Sequence, residues 1–386
     1  MLISTRFIII FLLTIGLIPF SVYIFNGVDG PLRVILLVFV IFLLNGLNVT
    51  FKKDDYYSLG LTLSIIFITL IFSAYINTFI KHGANIGGLS NFLSYLVLFL
   101  MAIIIKPNAF NNFMNILYYA INICGFIIAV YVFYAAISHS TFFVGLLRYD
   151  ESLQHFNMNH LAQFQGLAIV NMICQRNKSY AHLIFKLSIY SAIFLSFIML
   201  ASKTASIAVV LVLGISLLKN RYYLLTLAGI FLYSVVYLFI INISYIYNRF
   251  GLILDEITSG RTRLWYYASN SGVFEYISSL FERDDVFIER TIASGHDTYY
   301  LHSSYVYYLL HTGLITTIII LIMIIVTLNR TLKSNCITSY KALIIVLYIA
   351  LLGIGEQPME FQKYGALFYF LLFYLITRNR KIFNNS

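Results

Sequence analysis

Charged side chains are scarce in this chain of 386 residues, since Asp, Glu, Lys and Arg together make up only 10% of it. A soluble domain usually carries about 25% charged residues, so this chain has too few to coat a water-soluble fold of its size. Hydrophobic residues make up 60%, and the mean hydropathy is +0.87. Ordinary soluble enzymes, disordered tails and disulfide-rich secreted modules are therefore excluded, and we expect an integral membrane protein.

Cysteine and metal-binding patterns are also sparse. Cys124, Cys174 and Cys336 are odd in number and lack metal-ligand spacing, so no disulfide framework is predicted. The sequence has neither a Gly-rich phosphate loop nor a His-Glu-x-x-His zinc helix. It has no Asp-x-Asp pair, and the adjacent Asp284 and Asp285 are interpreted as a solvated charge cluster. We therefore expect no metal and no cofactor.

Long apolar runs dominate the sequence. A bilayer core requires about 20 mainly apolar residues per helix. Twelve candidate runs are 6–26, 32–51, 59–79, 88–105, 113–138, 158–175, 181–201, 204–218, 222–242, 303–328, 340–355 and 365–377. The first run lacks a small-residue cleavage site after it and is interpreted as an uncleaved anchor. The predicted fold is an all-α polytopic membrane protein with about twelve transmembrane helices.

The charges between the runs predict the orientation, because cytoplasmic loops of membrane proteins are enriched in Lys and Arg. With the N-terminus in the cytoplasm, the inner segments hold fourteen basic and two acidic residues. The outer segments hold ten basic and thirteen acidic residues. Lys186, inside a span near its inner end, completes the net charge of +10. The positive charge is thus a topology signal, so the expected partner is the lipid bilayer and no nucleic acid is expected. Both termini are predicted to be cytoplasmic.

Two outer segments are longer than the rest, 139–157 and 243–302. The second holds five arginines, eight acids, two histidines and the sole tryptophan, and it is the only stretch long enough to form an extramembrane subdomain. The predicted organisation is N-terminal membrane helices at 1–138, membrane helices with an outer loop at 139–242, the large outer loop at 243–302, and C-terminal membrane helices at 303–386.

A short arginine motif in the large loop is the first candidate for chemistry. Ser259 is a plausible N-cap, and Arg261 and Arg263 follow it. A guanidinium group matches phosphate oxygens bidentately, and a helix start directs free N–H groups at an anion. The alternative is that both arginines are solvated or paired with nearby acids, as surface ion pairs often are.

A histidine begins the second candidate element. His302, Tyr305 and Gly313 share one helical stripe, with His302 at its outer end. Histidine can accept a proton from a hydroxyl near neutral pH, and Gly313 is expected to allow close packing with a neighbouring helix. The alternative is an interfacial histidine above an ordinary packing stripe.

Two further polar segments lie where the chain meets the outer surface. Lys203 lies in a tight turn and either extends its amine to water or offers a cation to phosphate. Arg148 is followed by Asn157, Asn159 and His160, where the chain re-enters the membrane. The asparagines either cap the next helix or bind sugar.

The order of these elements resembles that of the O-antigen polymerase and O-antigen ligase superfamily of bacterial membrane glycosyltransferases. The matching elements, over roughly 140–316, are Arg148 with Asn157-Met158-Asn159, the Ser202-Lys203 turn, Ser-Gly-Arg-x-x-Leu-Trp at 259–265, and His302-x-x-Tyr305 with Gly313. The family usually has Ser-Arg where this chain has Ser202-Lys203. The positive charge is therefore kept, but the guanidinium group that can bind two phosphate oxygens at once is absent. His296 offers a competing register for His302.

The resemblance implies a GT-C-like architecture in the bacterial inner membrane, with the active site on the periplasmic face. It implies an undecaprenyl-diphosphate-linked oligosaccharide as donor and metal-independent, inverting transfer, and it admits a chain-length regulator protein as a partner. The implied site has His302 and Arg261 as catalytic residues, Lys203, Arg148 and Arg263 as diphosphate-binding residues, and Tyr305, Asn157, Asn159 and His160 as substrate-orienting residues. We favour a polymerase over a ligase, and a lipid-linked oligosaccharide flippase or a structural scaffold remains an alternative.

Overall fold

The computed structural model describes a bundle of α-helices. It covers residues 2–17, 29–45, 55–82, 86–141, 144, 158–173, 181–200, 202–217, 303–334, 336–356, 358–359 and 364–379. Within these residues there are eleven helices and no β-strand, apart from an isolated bridge between Tyr56 and Arg378. The helices are α1 (Leu2–Leu17), α2 (Asp29–Asn45), α3 (Ser58–His82), α4 (Ile86–Ile104), α5 (Pro107–Ser138), α6 (Met158–Ile173), α7 (Ala181–Leu200), α8 (Lys203–Leu217), α9 (Ser304–Leu332), α10 (Ile337–Gly355) and α11 (Gly365–Thr377).

Each of these helices overlaps one of the predicted apolar runs, and the run at 222–242 lies outside the described residues. Four stretches are long and apolar enough to cross a bilayer: Ser58–Ile76, Pro107–Ser138, Thr312–Leu332 and Ile337–Gly355. The other apolar helices of the described part are shorter. A helical membrane protein is thus confirmed, and the total of twelve spans stays a prediction.

The start of α5 differs from the prediction. The sequence predicts a helix from residue 113, whereas α5 begins at Pro107. Proline is well tolerated in the first helical turn, because its missing N–H would have no partner there in any case. Asn108, Asn111 and Asn112 lie between Pro107 and residue 113 and lower the local hydropathy, which explains why the predicted apolar run begins only at 113.

The centre of the bundle is α11. All of its residues from Gly365 to Thr377 are buried, as expected for a helix that is apolar on every side. The helix packs against α2, α3, α4, α9 and α10. Its Tyr369 ring lies 4.7 Å from that of Tyr95 and 5.8 Å from that of Phe67, measured between ring centroids. Burial of these large rings stabilises the contact between α11 and its neighbours.

Two buried arginines join several helices at one end of the bundle. Arg330 donates hydrogen bonds to the carbonyl oxygens of Ile376 and Arg378, and Arg378 donates to those of Ile103 and Ile105. We call this group of two side chains and the carbonyls that they bind the arginine clasp. The acceptors lie at the C-terminal ends of α4 and α11, where unpaired carbonyls carry partial negative charge. The clasp therefore satisfies carbonyl groups that the helices themselves leave without a donor.

The segment before α3 packs against the arginine clasp. The Arg330 guanidinium carbon lies 3.7 Å from the centroid of the Tyr57 ring, a cation–π contact. The backbone N–H of Tyr57 donates to the carbonyl of Thr377 at 2.7 Å, and that of Asn379 donates to the backbone carbonyl of Asp55 at 2.8 Å. These contacts bring the start of α3 and the ends of α4, α9 and α11 to one end of the bundle.

The clasp end gathers segments that the charge pattern predicts to be cytoplasmic. Besides Arg330 and Arg378, it includes Lys106, whose backbone N–H donates to Oδ1 of Asn45 at 2.9 Å. These connections thus share one end of the molecule, as the prediction requires. The side of the membrane that this end faces stays a prediction.

Gly313 interrupts α9. Its backbone angles are φ 85° and ψ 170°, in a region that L side chains rarely adopt. The hydroxyls of Thr312, Thr316 and Thr317 each donate to the backbone carbonyl four residues earlier in the chain. For Thr317, that carbonyl belongs to Gly313. Such bonds often accompany bends. The sequence predicts close helix packing at Gly313, whereas in the structure this residue forms a bend between two helical segments.

Candidate functional site at the end opposite the clasp

The predicted site residues divide into two groups. Asn159, His160 and Tyr305 lie in the described part of the chain, as does the backbone of Lys203. Five further residues lie outside the described residues, as do the whole loop at 243–302 and the side chain of Lys203. These five are His302, Arg261, Arg263, Arg148 and Asn157.

The N-terminal end of α6 carries Asn159 and His160. The Tyr364 hydroxyl, at the start of α11, donates to the His160 carbonyl at 3.2 Å. One turn further along α6, the Gln163 carbonyl accepts a hydrogen bond from the Tyr348 hydroxyl of α10 at 2.7 Å. These two bonds fix the start of α6 against α10 and α11.

Electrostatics keep the Tyr364 hydroxyl a donor. Burial raises the pKa of Tyr364 well above its ordinary value, while the positive charge of Arg33 opposes that shift. Burial disfavours the phenolate, so the hydroxyl keeps the proton that it donates to the His160 carbonyl. Arg33 and Tyr364 both line a small cavity between α1, α2, α5 and α11.

The N-terminal end of α8 is formed by Ser202 and Lys203. Ser202 is buried, and its Oγ accepts a 3.4 Å hydrogen bond from the backbone N–H of Ala205, as an N-cap residue does. Lys203 is the first residue of α8. Further along, a Cβ atom on Gly166 of α6 would lie 3.0 Å from Cγ2 of Val209. In the first half of α6, Nε2 of Gln165 donates to Oγ of Ser196 near the end of α7, and α8 begins three residues after α7 ends. The starts of α6 and α8 therefore lie toward the same end of the bundle.

The N-terminal end of α9 is fixed to the C-terminal end of α10. The Ser303 hydroxyl donates to the Gly353 carbonyl at 3.2 Å, and the Ser304 N–H donates to the Glu356 carbonyl at 2.9 Å. The Tyr305 hydroxyl donates to the Ala350 carbonyl at 2.9 Å, and the residue is buried. The structure thus gives Tyr305 a contact between α9 and α10, and its role in orienting substrate stays a prediction.

Hydrogen bonds connect these helix ends into one surface. The N–H of Met359 donates to Oγ of Ser304 at 3.3 Å, and the N–H of Tyr364 donates to the Pro358 carbonyl at 3.1 Å. The segment after α10 therefore joins the start of α9 to Tyr364, and through Tyr364 to α6. We call this end of the bundle the mouth, formed by Asn159, His160, Ser202, Ser303, Ser304, Glu356 and Tyr364.

The structure adds residues that the sequence analysis did not single out. Glu356 is buried at the mouth, with 4% of its surface exposed. Gln163 is fully buried, and neither atom of its side-chain amide has a hydrogen-bond partner among the described residues. The signal for Glu356 was an acid placed directly at the end of an apolar run. For Gln163 the signal was a side-chain amide inside an apolar run.

Other buried amides join helices to one another. Nε2 of Gln165 donates to the Gly125 carbonyl at 2.9 Å and to Oγ of Ser196 at 2.8 Å. Nδ2 of Asn171 contacts the Tyr118 carbonyl at 3.3 Å. These polar groups of α6 are used in packing against α5 and α7, as interhelical hydrogen bonds are in membrane proteins.

An apolar groove runs between α2 and α4. Its volume is about 630 Å³, and it is lined from Pro31 to Phe42 on α2 and from Leu89 to Val97 on α4. Because the ends of α2 and α4 at Asn45 and Ile104 lie at the clasp end, Pro31 and Leu89 lie toward the mouth. The described residues contain no group of three or more His, Cys, Asp or Glu side chains that could hold a metal ion.

Comparison with known proteins assigns no family. No protein-family model, no curated protein and no solved structure matches the chain.

Proposed function

We propose that the protein is a surface-polysaccharide (O-antigen) polymerase, which joins undecaprenyl-diphosphate-linked repeat units at the periplasmic face of the inner membrane. One observation carries the proposal. The helices α6, α8 and α9, which carry Asn159, Lys203 and Tyr305, all pack against α10. These segments are far apart in the sequence, and a scaffold without a site gives no reason for them to converge.

The proposed reaction is a single displacement. The acceptor hydroxyl oxygen attacks the anomeric carbon of the donor sugar, and the bond from that carbon to the diphosphate oxygen breaks. The electron pair stays on the diphosphate, and one attack inverts the anomeric configuration. His302 takes the proton of the acceptor hydroxyl, while Arg261 and Lys203, with Arg148 and Arg263, stabilise the charge that grows on the leaving diphosphate.

In this proposal the Lys and Arg side chains neutralise the diphosphate charge, as a metal ion does in many other sites that bind phosphate. The start of α8 adds backbone N–H groups beside Lys203, and helix starts favour anions. Asn157, Asn159 and His160 are proposed to orient the sugars. The groove between α2 and α4 is lined mainly by apolar side chains, and it is proposed to hold the isoprenoid chain.

The runner-up is an O-antigen ligase, which transfers the glycan to lipid A-core by the same donor chemistry. A lipid-linked oligosaccharide flippase is a second alternative. Transport requires polar groups along a passage through the bilayer, and the buried Gln163 is the observation that favours it. Gln165 and Asn171 argue against it, because their side chains bond neighbouring helices.

Deletion of the gene in the native bacterium tests the function. Because a polymerase acts after one repeat unit has been made and before ligation, the polymerase proposal predicts lipopolysaccharide whose core bears a single repeat. Gel electrophoresis of the lipopolysaccharide measures this directly. A core with no repeat would contradict the polymerase and favour the ligase or the flippase.

Labelling of single cysteines tests which end of the bundle faces outward. Ser140, at the end of α5 away from the clasp, and Lys333, beside the clasp, are both exposed. In a background without Cys124, Cys174 and Cys336, we expect a membrane-impermeant maleimide to label Ser140→Cys in spheroplasts. Lys333→Cys is expected to react only after lysis, and the reverse pattern would contradict the proposed orientation.

A further inference from the structure

The side-chain amide of Gln163, on α6, is fully buried and has no hydrogen-bond partner among the described residues, at either Nε2 or Oε1. Nearby on the same helix, Nε2 of Gln165 donates to the Gly125 carbonyl and to Oγ of Ser196, so that amide joins α6 to α5 and α7. A buried donor and acceptor without partners destabilise a fold, so packing gives no reason for an amide at Gln163. Side chains that break a stability rule in this way concentrate at functional sites.

The face of α6 that carries Gln163 packs against α8 and α10. One turn further along the helix, a Cβ atom on Gly166 would collide with the Tyr348 hydroxyl of α10 and would lie 3.0 Å from Cγ2 of Val209 of α8. Residues three apart on a helix share a face, so Gln163 lies on this side of α6 as well. The Tyr348 hydroxyl donates to the backbone carbonyl of Gln163 at 2.7 Å, and the side-chain amide remains without a partner.

The side chain of Gln163 extends toward the start of α8. Helices α6 and α8 both begin toward the mouth, and Gly166 lies beside Val209. At 1.5 Å per residue, the backbone of Gln163 is about 4.5 Å nearer the mouth than this contact, and that of Lys203 is about 9 Å nearer. Long side chains on a helix lean toward its N-terminus, which covers much of the difference. The amide is therefore directed at the first turn of α8.

The first turn of α8 favours an anion. The first N–H groups of a helix have no acceptor within that helix, and they give its N-terminus a partial positive charge. Ser202 caps the N–H of Ala205, and no acidic residue lies in the first turn to neutralise this charge. The Nε2 group of Gln163 adds a donor from α6. An anion at this position therefore meets donors from two helices.

We infer that Gln163 binds the donor substrate where its diphosphate joins the first sugar, beside the start of α8. This inference rests on the proposed function. Nε2 donates to a diphosphate oxygen, and Oε1 accepts from a sugar hydroxyl. A bare phosphate would satisfy only the donor and a hydrocarbon chain would satisfy neither group, whereas a glycosyl diphosphate supplies both partners. Because the amide is buried without ligand, binding requires its side chain to turn toward the mouth.

Two substitutions to methionine separate ligand binding from packing, because methionine is unbranched like glutamine and has no amide. Gln163→Met removes a buried polar group without partners, and such a change is often neutral or stabilising. We therefore expect weaker ligand binding without a loss of stability. Gln165→Met is the matched control, because it removes two hydrogen bonds that are used in packing. For that variant we expect a lower unfolding temperature and unchanged affinity.

The experiment measures ligand binding and thermal unfolding of the purified full-length protein in nanodiscs. The probes are the lipid-linked repeat unit and undecaprenyl diphosphate, which lacks the sugar. For Gln163→Met we expect the Kd of the lipid-linked unit to rise about tenfold or more, with an unfolding temperature equal to or above that of wild type. A smaller rise is expected for undecaprenyl diphosphate, because only the bond to the diphosphate is lost.

Three outcomes would overturn the inference. Wild-type affinity in Gln163→Met would fit an amide that only holds water, and a lower unfolding temperature in this variant would fit a structural role. An equal rise in Kd for both probes would exclude the sugar contact. A wild-type protein that binds the lipid-linked unit and does not extend it would overturn the proposed polymerase function. Chain extension by wild type, with wild-type affinity in Gln163→Met, would overturn the inference alone.

Discussion

Substitution of His302 by alanine is expected to abolish chain extension while the protein remains in the membrane at normal abundance. Without the imidazole, the acceptor hydroxyl must lose its proton to water, and a positioned base typically contributes about 10²–10⁴ in rate. Complementation of the deletion strain, followed by a lipopolysaccharide gel, measures the loss, and immunoblotting of membranes measures abundance. His296→Ala is the matched control. Loss of the ladder of extended glycans on the gel in that variant alone would indicate that His296, and not His302, is the base.

Arg261→Ala is also expected to abolish chain extension, for a different reason. The guanidinium is proposed to neutralise the leaving diphosphate, where charge grows as the bond breaks. Arg261→Lys keeps the charge and loses the bidentate fork, so we expect partial activity. Arg283→Ala, in the same loop beside Asp284, is expected to be tolerated. Wild-type ladders in either His302→Ala or Arg261→Ala would contradict the site.

The largest expected effect on stability comes from the arginine clasp. Arg378 is 3% exposed and donates to the carbonyls of Ile103 and Ile105. Arg378→Ala leaves the Ile105 carbonyl without this donor in a buried setting, whereas the Ile103 carbonyl keeps the hydrogen bond from the Tyr56 hydroxyl. The loss of one such donor typically destabilises by about 1–3 kcal/mol. We therefore expect the free energy of unfolding to fall by about 1–3 kcal/mol, measured by titration with a denaturing detergent.

A matched control for the clasp is Lys333→Ala. Lys333 lies at the same end of the bundle and is exposed, so its removal is expected to change stability by less than about 0.5 kcal/mol. Because the clasp lies opposite the mouth, Arg378→Ala protein that does insert is expected to extend chains at the wild-type rate per molecule. A near-wild-type free energy of unfolding in Arg378→Ala would contradict the account of the clasp.

The helices could be predicted from the sequence because bilayer insertion is decided locally. Each backbone group in hydrocarbon must find its partner within its own helix, so an apolar run indicates a helix without knowledge of the neighbours. The bounds of α11 are those of the predicted run at 365–377. The first turn of α5 escaped prediction because Asn108, Asn111 and Asn112 interrupt the apolar pattern.

The arginine clasp and the bend at Gly313 could not be predicted. The charge pattern places Arg330 and Arg378 on one side of the membrane, but it does not reveal that they are buried against the ends of other helices. Those acceptors are backbone carbonyls, which every sequence has. At Gly313, the helical stripe suggested packing because glycine lacks a side chain, and the structure uses the same property for a positive φ angle.

The candidate site was predictable in its parts and not in its assembly. Asn159, Lys203 and Tyr305 could each be named from local motifs. The sequence does not predict that the helices carrying these residues all pack against α10, because helix adjacency depends on side-chain packing across the whole bundle. Glu356 was hidden for the same reason, since an acid after an apolar run ordinarily marks the water boundary. Only its burial and its bonds to Ser304 distinguish it from such a residue.

The most direct test of the central claim uses purified protein in proteoliposomes, supplied with a lipid-linked repeat unit in buffer containing EDTA. Our account predicts longer lipid-linked glycans and the release of undecaprenyl diphosphate, one molecule for each bond formed, with no added metal. The absence of extension, or extension only after a divalent cation is restored, would contradict it.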